Sequence, residues 1–537
     1  MLIIATLGPA AALAQGPRGA GPDARRPRAG TISIGSGGWW DRVNDEYAGG
    51  VLRDEGARYS FDSLGAASFP FLTGIESAVR AAAAIPGFRA TLGTSDVQVR
   101  RTRESTPLTI EAGITRRLSA YVGLQYVTAA ARVETRITPI TATVGLNPAL
   151  ISPDIAANNG ALLSQLDAAI ANVSGRIATC AAMPGATGCA TINANPAGAT
   201  ALVADASAYV DAIGTVYGGR GANVGSAFLP LAGGAAQAAV AARLAGLKAQ
   251  FAAFGAPTIT GAAPIGAPVP LTTTTFQDML ADSAFGIAGR IAPVVRRGFG
   301  AAEFGADFTW HDTRDEPAAP GSVWWRSAVG ASYRAATAPA TAAEDLVGTT
   351  LASPAATVVF RSATEVGYGP RLAVGVGLTY AAASTASFDV RTVASGADAF
   401  PSADRTARMT WTPGTDLVAE IAPRWVPTEA VAIAATFAYR SRGADAYSLS
   451  ATSAGAPASA SPGMGLEAGP SATEQRAGIS IAYSTLPAWR RGRARWPIEI
   501  VLRHFQTVNA SGGTLPKIAH DDFLLRWHFA VRRDARR

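Results

Sequence analysis

Lysine is nearly absent from this 537-residue chain, and Asp, Glu, Lys and Arg together make up only 16% of it. Arginine carries almost all of the positive charge, and the formal net charge of +7 is scattered over short runs such as "RRGRAR" and "VRRDARR". No basic helix or aromatic-interleaved basic stripe occurs, so the electrostatic footprint of a nucleic-acid binder is missing and no nucleic-acid partner is expected. Histidine is limited to His311, His504, His520 and His528, and cysteine to Cys180 and Cys189. The two cysteines have no further Cys or His nearby to complete a metal site, there is no HExxH motif and no G-x-S-x-G nucleophile elbow, and no cofactor is expected. "GSGGWW" is rich in glycine, but without a following helix it is not a phosphate loop. Past the first residues no run of 18 or more apolar side chains occurs, which excludes a membrane-spanning helix and leaves open a crossing by strands.

What the chain does have is alternation. In "PRLAVGVGLTY", Leu372, Val374, Val376, Leu378 and Tyr380 oppose Ala373, Gly375, Gly377 and Thr379, so a large apolar face is backed by a small one rather than a charged one. The period of two recurs at Leu108, Ile110, Ala112 and Ile114; at Val122, Leu124 and Tyr126; at Phe304, Ala306, Phe308 and Trp310; at Val329, Ala331 and Tyr333. It returns at Val358 and Phe360, at Leu417, Ala419 and Ile421, at Ile433, Ala435 and Phe437, at Ile479 and Ile481, at Ile498, Ile500 and Leu502, and at Phe523, Leu525, Trp527 and Phe529. Each span runs about 9 to 12 residues, which a tilted strand needs to cross a bilayer and which exceeds the roughly 5 or 6 of soluble strands. Trp310, Tyr333, Tyr380, Trp425, Tyr439, Tyr483, Trp527 and Phe529 sit at the ends of the apolar faces, the placement of a lipid-facing girdle.

Short links at 116–119, 312–321, 367–370, 426–429 and 486–495 alternate with long ones at 46–92, 137–299, 335–355, 386–414, 443–473 and 509–519. Starting from "GTISIGSGGWWDRV", this yields twelve strands with both termini on the short-link side. Fourteen is the alternative if "VQVRRTR" or "FGIAGRI" pairs separately. The fold class is therefore an all-β transmembrane antiparallel β-barrel with an α-helical insertion.

The organisation expected is a secretory signal over 1–14, ending in the small-x-small pattern Ala12-Leu13-Ala14; a disordered linker over 15–30; first barrel strands with a helical outer loop over 31–136; a helical cap or plug over 137–299; the remaining strands over 300–529; and a basic tail over 530–537. Within 137–299 the apolar spacing turns helical at Leu162, Leu166, Ile170, Val173 and Ile177, at Leu202, Tyr209, Val210, Ile213 and Tyr217, and at Val240, Leu244, Leu247, Phe251 and Phe254. A smaller helix is expected from Pro70 to Ile85. Cys180 and Cys189 flank a Pro/Gly loop, and in an oxidising compartment such a pair forms a disulfide.

The closing stretch "DDFLLRWHF", with aromatics at Phe523, Trp527 and Phe529, resembles the C-terminal signal that the barrel-assembly machinery reads on Gram-negative outer-membrane β-barrels; the tail "AVRRDARR" departs from that signal. A barrel with a helical insertion is also similar in layout to outer-membrane transporters of hydrophobic compounds such as the long-chain fatty-acid transporter family, though no motif of that family transfers residue by residue. The resemblance implies secretion to the periplasm, residence in outer-membrane lipid, and passive or gated passage of small solutes, hydrophobic ones included. The side chains opposite the lipid face would line the lumen: Glu111, Gln125, Glu303, Asp307, His311, Arg326, Arg334, Arg361, Glu365, Glu420, Arg424, Glu499, Arg503, Arg526 and His528. Two other functions stay open. One is a barrel-embedded hydrolase, for which "HDD" at His520 and "HDTRDE" at His311 are the nearest fragments. The other is a structural or surface-binding role.

Overall fold

A computed structural model of the chain describes residues 24, 27, 29–221, 223–313, 319–337, 339–391, 399–449 and 471–530. The expected signal, most of the linker and the tail beyond Ala530 lie outside the described residues. The chain forms two compact units, one of 1–58, 97–134 and 280–537, the other of 59–96 and 135–279.

Twelve strands make up the first unit's ring: β1 (Thr31–Ala48), β2 (Thr94–Gly113), β3 (Leu118–Thr138), β4 (Glu303–Asp312), β5 (Val323–Arg334) and β6 (Thr357–Tyr368). It continues with β7 (Leu372–Ala383), β8 (Asp416–Thr428), β9 (Val431–Arg442), β10 (Ala472–Ser484), β11 (Ile498–Ser511) and β12 (Thr514–Ala530). Each strand pairs with the next in sequence, and the ring closes antiparallel from Thr31 opposite Ala530 to Ala48 opposite Thr514. The fourteen-strand alternative fails. "VQVRRTR" is simply the first part of β2, and "FGIAGRI" holds a 3-10 turn and irregular chain. Two short strands do pair outside the ring: Val51–Asp54 on the end of β1, and Val294–Phe299 on β3.

The ring exposes its large apolar side chains on the outside. On β7, Leu372, Val374, Val376, Leu378 and Tyr380 are exposed while Ala373, Gly375 and Ala381 are buried. Leu372 to Tyr380 spans about 26 Å along the strand at the usual rise, and a tilt of about 40° brings this to about 20 Å of height, close to the apolar band of a bilayer-spanning barrel. Trp425 lies level with Leu372, opposite it across β7 and β8. Trp310, Trp425, Tyr483, Trp527 and Phe529 are exposed toward the short-link ends, and Tyr333, Tyr380 and Tyr439 toward the long-link ends. The outside is therefore an apolar band between two aromatic rims, and the ring is a transmembrane barrel.

The connection expected as a long loop over 509–519 is a tight hairpin. Ser511 and Thr514 are strand residues, and only Gly512 and Gly513 separate them, with φ of +74° and +44°. Two consecutive positive φ angles are what a two-residue hairpin turn demands, and adjacent glycines supply them without strain. The long connections after β7 and β9 are not structureless either. They contribute Ala386–Arg391, Thr406–Thr412 and Ala446–Leu449 to a separate three-stranded sheet with Val390, Ala407 and Met409 at its centre.

The second unit is mainly helical, with α1 (Leu72–Ala83), α2 (Pro153–Ala182), α3 (Ala190–Ala194), α4 (Pro196–Tyr217), α5 (Ala235–Ala253) and α6 (Thr273–Ala281). The helical stretch expected to reach 299 ends at α6, because Val294–Phe299 alternates in burial and joins the barrel sheet. Leu162, Leu166 and Val173 of α2, Leu202, Val210 and Ile213 of α4, and Val240, Leu244, Leu247 and Phe251 of α5 are buried at helical spacing. Asn195 caps α4 by accepting from the Gly198 amide at 2.9 Å, and Pro196 occupies the first helical position, where no N–H is needed. Asn159 of α2 donates to the Tyr217 carbonyl at 2.8 Å, and Gly160 approaches the Gly219 carbonyl so closely that a Cβ there would lie 2.7 Å from it. Cys180 and Cys189 form a disulfide that ties the end of α2 to the start of α3.

Two buried phenols make this unit sensitive to alkali. Tyr209 donates to the Val240 carbonyl at 3.2 Å and Tyr217 to Gln237 Oε1 at 2.6 Å, and burial pushes both phenols above their ordinary value. A raised pKa means that the fold favours the neutral phenol. Its contribution is complete below the unfolded value of about 10 and declines as pH climbs above it. Circular dichroism should show helix loss above about pH 10, and replacing Tyr209 and Tyr217 by Phe should move that loss to higher pH. An unchanged alkaline transition in the double variant would contradict the assignment.

Candidate functional site in the barrel lumen

Strand alternation decides which side chains face inward. Glu111, Gln125, Glu303, Asp307, Arg326, Arg334, Arg361, Glu365, Glu420, Arg424, Glu499, Arg503, Arg526 and His528 lie on the face opposite the exposed apolar rows. His311 does not. The pairing of β4 with β5 shifts between Thr309 and His311, so His311 falls opposite Ser327, on the outward face. Its ring stacks on Trp325 at 3.8 Å between centroids, beside Trp310. A bulge adds one residue and reverses the facing of everything after it, which plain alternation does not register.

The inward charges form paired groups. Arg334 donates Nε to Glu303 Oε2 at 2.8 Å, and Arg361 also bonds Glu303 and the Tyr121 hydroxyl. Tyr121 donates to Glu303 Oε1 at 2.8 Å. On β8 to β11, Arg440 donates Nε to Asp416 Oδ1 at 2.8 Å and Nη1 to Glu474 Oε2 at 3.4 Å. Glu474 also accepts from Arg476 Nε at 2.8 Å and from the Thr507 hydroxyl at 2.7 Å. Near the short-link end, Glu499 accepts from Arg526 at 3.2 Å and contacts His528 Nε2 at 3.0 Å. A buried charge without a partner is costly, so such groups hold only when the counter-ions are in place.

Several pairs reach over a neighbouring strand, and small residues sit beneath them. Glu365 of β6 and Arg424 of β8 are 3.2 Å apart, with β7 between them. The register sets Gly375 opposite both Glu365 and Ala422, and Ala373 opposite Arg424. Arg361 of β6 reaches Glu303 of β4 across β5, where it lies opposite Gly330. The small face of β7 is the gap that the long side chains on either side use.

Several inward groups were missed in the sequence. Tyr121, Asp416, Glu474 and Arg476 stand at strand ends, where the apolar rows give out and alternation is hard to count. β12 also carries His520 on the inward face, past the link expected over 509–519. Its Nδ1 lies 2.5 Å from Asp41 Oδ1, its Nε2 lies 3.1 Å from Asp522 Oδ2, and its ring stacks on Phe505 at 4.3 Å. Asp522 accepts from Arg503 Nε at 2.8 Å. Both ring nitrogens of His520 are thus engaged by carboxylates.

A partly open chamber of about 60 Å³ lies within the barrel unit. Its apolar lining comes from Ala301, Ala335, Ala352, Ala355, Ala381 and Ala383, with Trp411 and Pro413. Polar lining comes from Arg103, Gln125, Ser353, Thr357, Asp416, Arg334, Arg440 and Arg442.

No family model matches the chain, and no curated protein matches it. Among solved structures, the chain overlaps the COG4313 outer membrane channel from Pseudomonas putida F1 at 8% identity and a TM-score of 0.39, over 94% of this chain and 97% of that one. It overlaps a FadL homologue of Pseudomonas aeruginosa at 9% identity and 0.26, over 94% and 90%, and the Ralstonia pickettii toluene transporter TbuX at 7% and 0.26, over 93% and 90%. Overlaps this loose do not bear on function.

Gly330 offers a direct check on the packing of the lumen wall. A Cβ at Gly330 would lie 2.0 Å from Asp307 Oδ1 and 3.0 Å from the Ala306 carbonyl. Gly330→Ala should therefore displace the buried Asp307 carboxylate and cost about 1 to 3 kcal/mol, the usual penalty of overpacking, in urea unfolding of the detergent-solubilised protein. An unchanged midpoint would contradict the close approach. By its closed ring, its apolar outer band and its charged inner face, the chain is a twelve-stranded transmembrane β-barrel with an inserted helical unit, the build of an outer-membrane barrel.

Proposed function

We propose that this barrel is an outer-membrane channel that passes small solutes, hydrophobic ones included, through its lumen. The observation that carries this is a partly open chamber of about 60 Å³ inside the barrel unit, where alanines at the ends of β5, β6 and β7 face the arginines of β9. The charges around it pair with one another along the wall: Arg334 with Glu303, Arg440 with Asp416, and Arg442 with Asp445 at 2.7 Å. Such pairing leaves the wall close to neutral, and gives a passing solute polar and apolar surface together. In this account the chain reaches the outer membrane through the periplasm and is inserted by the barrel-assembly machinery, which reads Phe523, Trp527 and Phe529 near its C-terminal end. The aromatic rims then settle at the lipid interfaces.

Ala381 lines the chamber from β7, on the inward face. In liposome-swelling assays the wild-type barrel should admit small neutral organic solutes. Ala381→Trp, by filling the chamber, should slow their entry several-fold without altering insertion or heat-modifiable mobility. Equal rates for the two proteins, or no swelling with the wild type, would overturn the proposal.

A further inference from the structure

The turns at the short-link end of the barrel carry arginine that the fold does not neutralise. Arg116 and Arg117 between β2 and β3, Arg371 between β6 and β7, and Arg493 and Arg495 between β10 and β11 are exposed. Among the described residues none of these five has a carboxylate within ion-pair distance, and the one acid described in these turns, Glu429 between β8 and β9, is engaged by Arg491. Inside the barrel the reverse holds, where Arg334, Arg440 and Arg503 each bond a carboxylate.

The turn between β10 and β11 also holds its charge at a fixed height. It takes up residues 485–497, although β8 and β9 are joined by 429–430 alone. Its backbone is fastened within itself and to the last strand: Arg493 N donates to the Ala488 carbonyl at 2.8 Å, Ile498 N to the Thr485 hydroxyl at 2.9 Å, and His528 N to the Pro497 carbonyl at 3.0 Å. The Arg495 guanidinium lies 5.1 Å from the centre of the Trp496 ring. Trp496 meets Trp527 edge to face at 5.3 Å, and Trp527 stacks on Phe529 at 6.0 Å. Arginine thus follows directly on the aromatic rim that bounds the apolar band, the level at which lipid headgroups begin.

We propose that this rim is a docking surface for anionic phospholipids, with headgroup phosphates on Arg493, Arg495, Arg116 and Arg117 and the glycerol level against Trp496 and Trp527. A guanidinium donates to phosphate oxygens in a charge-assisted, often two-point, contact. Basic side chains just outside a bilayer draw headgroups of net negative charge over zwitterionic ones. Short turns of outer-membrane barrels face the periplasm, the side on which that membrane presents phospholipid. The rim is also continuous with the lipid-facing surface, which favours a membrane lipid over a wall polymer standing further off. The inference does not depend on passage of any solute through the lumen.

The test is electron paramagnetic resonance of spin-labelled phosphatidylglycerol and phosphatidylcholine in bilayers holding the full-length barrel, where the motionally restricted fraction gives each lipid's relative association constant. One arginine near an anionic surface is worth about fivefold, which averaging over all the lipids around the barrel reduces to a preference of about threefold for phosphatidylglycerol. The preference should fall toward one in about 1 M salt, because screening shortens the reach of exposed charge. Arg493→Gln with Arg495→Gln should lower it, and adding Arg116→Gln and Arg117→Gln should remove it, whereas Lys at the same four positions should keep most of it. Arg132→Gln with Arg136→Gln, at the other end of β3, should leave it unchanged. The arginine-containing stretches 15–30 and 531–537 stay intact in every variant, and heat-modifiable mobility verifies that each barrel is folded. No preference in the wild type would overturn the proposal, as would an undiminished one in the fourfold Gln variant or an equal loss in the far-end variant. Retention on purified cell-wall sacculi without any lipid preference would also overturn it and assign the rim to the wall polymer.

Discussion

Everything in the barrel depends on the last strand pairing with the first. Inside a bilayer no water is available to satisfy backbone N–H and C=O groups, so a sheet can cross only if it has no free edge. β1 and β12 remove the edge along nearly their whole length, from Thr31 opposite Ala530 to Ala48 opposite Thr514. Once the backbone is satisfied, the apolar rows can face lipid, and every inward position is available for chemistry. The same closure brings Asp41 of β1 beside His520 of β12, residues far apart in sequence that meet only because the ring closes.

The inner face follows a second constraint, the scarcity of space between long charged side chains. Gly375 and Gly330 are placed where an ion pair crosses from one strand to the next but one. Glu365, fully buried, finds Arg424 only because β7 presents Gly375 and Ala373 between them. Arginine is used in preference to lysine at these places. A planar guanidinium reaches over a neighbouring strand and serves two partners at once, as Arg361 does with Glu303 and Tyr121 and as Arg440 does with Asp416 and Glu474.

The strand count and the facing of most side chains were legible in the sequence because membrane strands are long and their period is simple. "PRLAVGVGLTY" names its outer face at Leu372, Val374, Val376 and Leu378. The helices of the second unit were legible for a similar reason, since Leu162, Leu166 and Val173 mark one face at helical spacing. What escaped the sequence is what a period cannot carry. A single bulge after Thr309 turned His311 outward. Two glycines at 512 and 513 turned an expected loop into a hairpin, and with it placed His520 inside the barrel. Arg103 lies in the part of β2 whose neighbours are polar, and nothing local distinguishes it from Arg101, which pairs with Glu55 at 2.8 Å. Arg103 instead lies opposite Asp41 of β1, a neighbour that only the strand register supplies.

The central claim is that β7 separates lipid on one face from the lumen on the other. Spin labels placed singly from 372 to 380 in the reconstituted barrel would test it, with collision rates measured against oxygen, which concentrates in lipid, and against a water-soluble nickel complex. Labels at Leu372, Val374, Val376 and Leu378 should meet oxygen, while labels at Ala373, Gly375, Gly377 and Thr379 should be shielded from it. A flat profile, or one with the two sets reversed, would contradict the account.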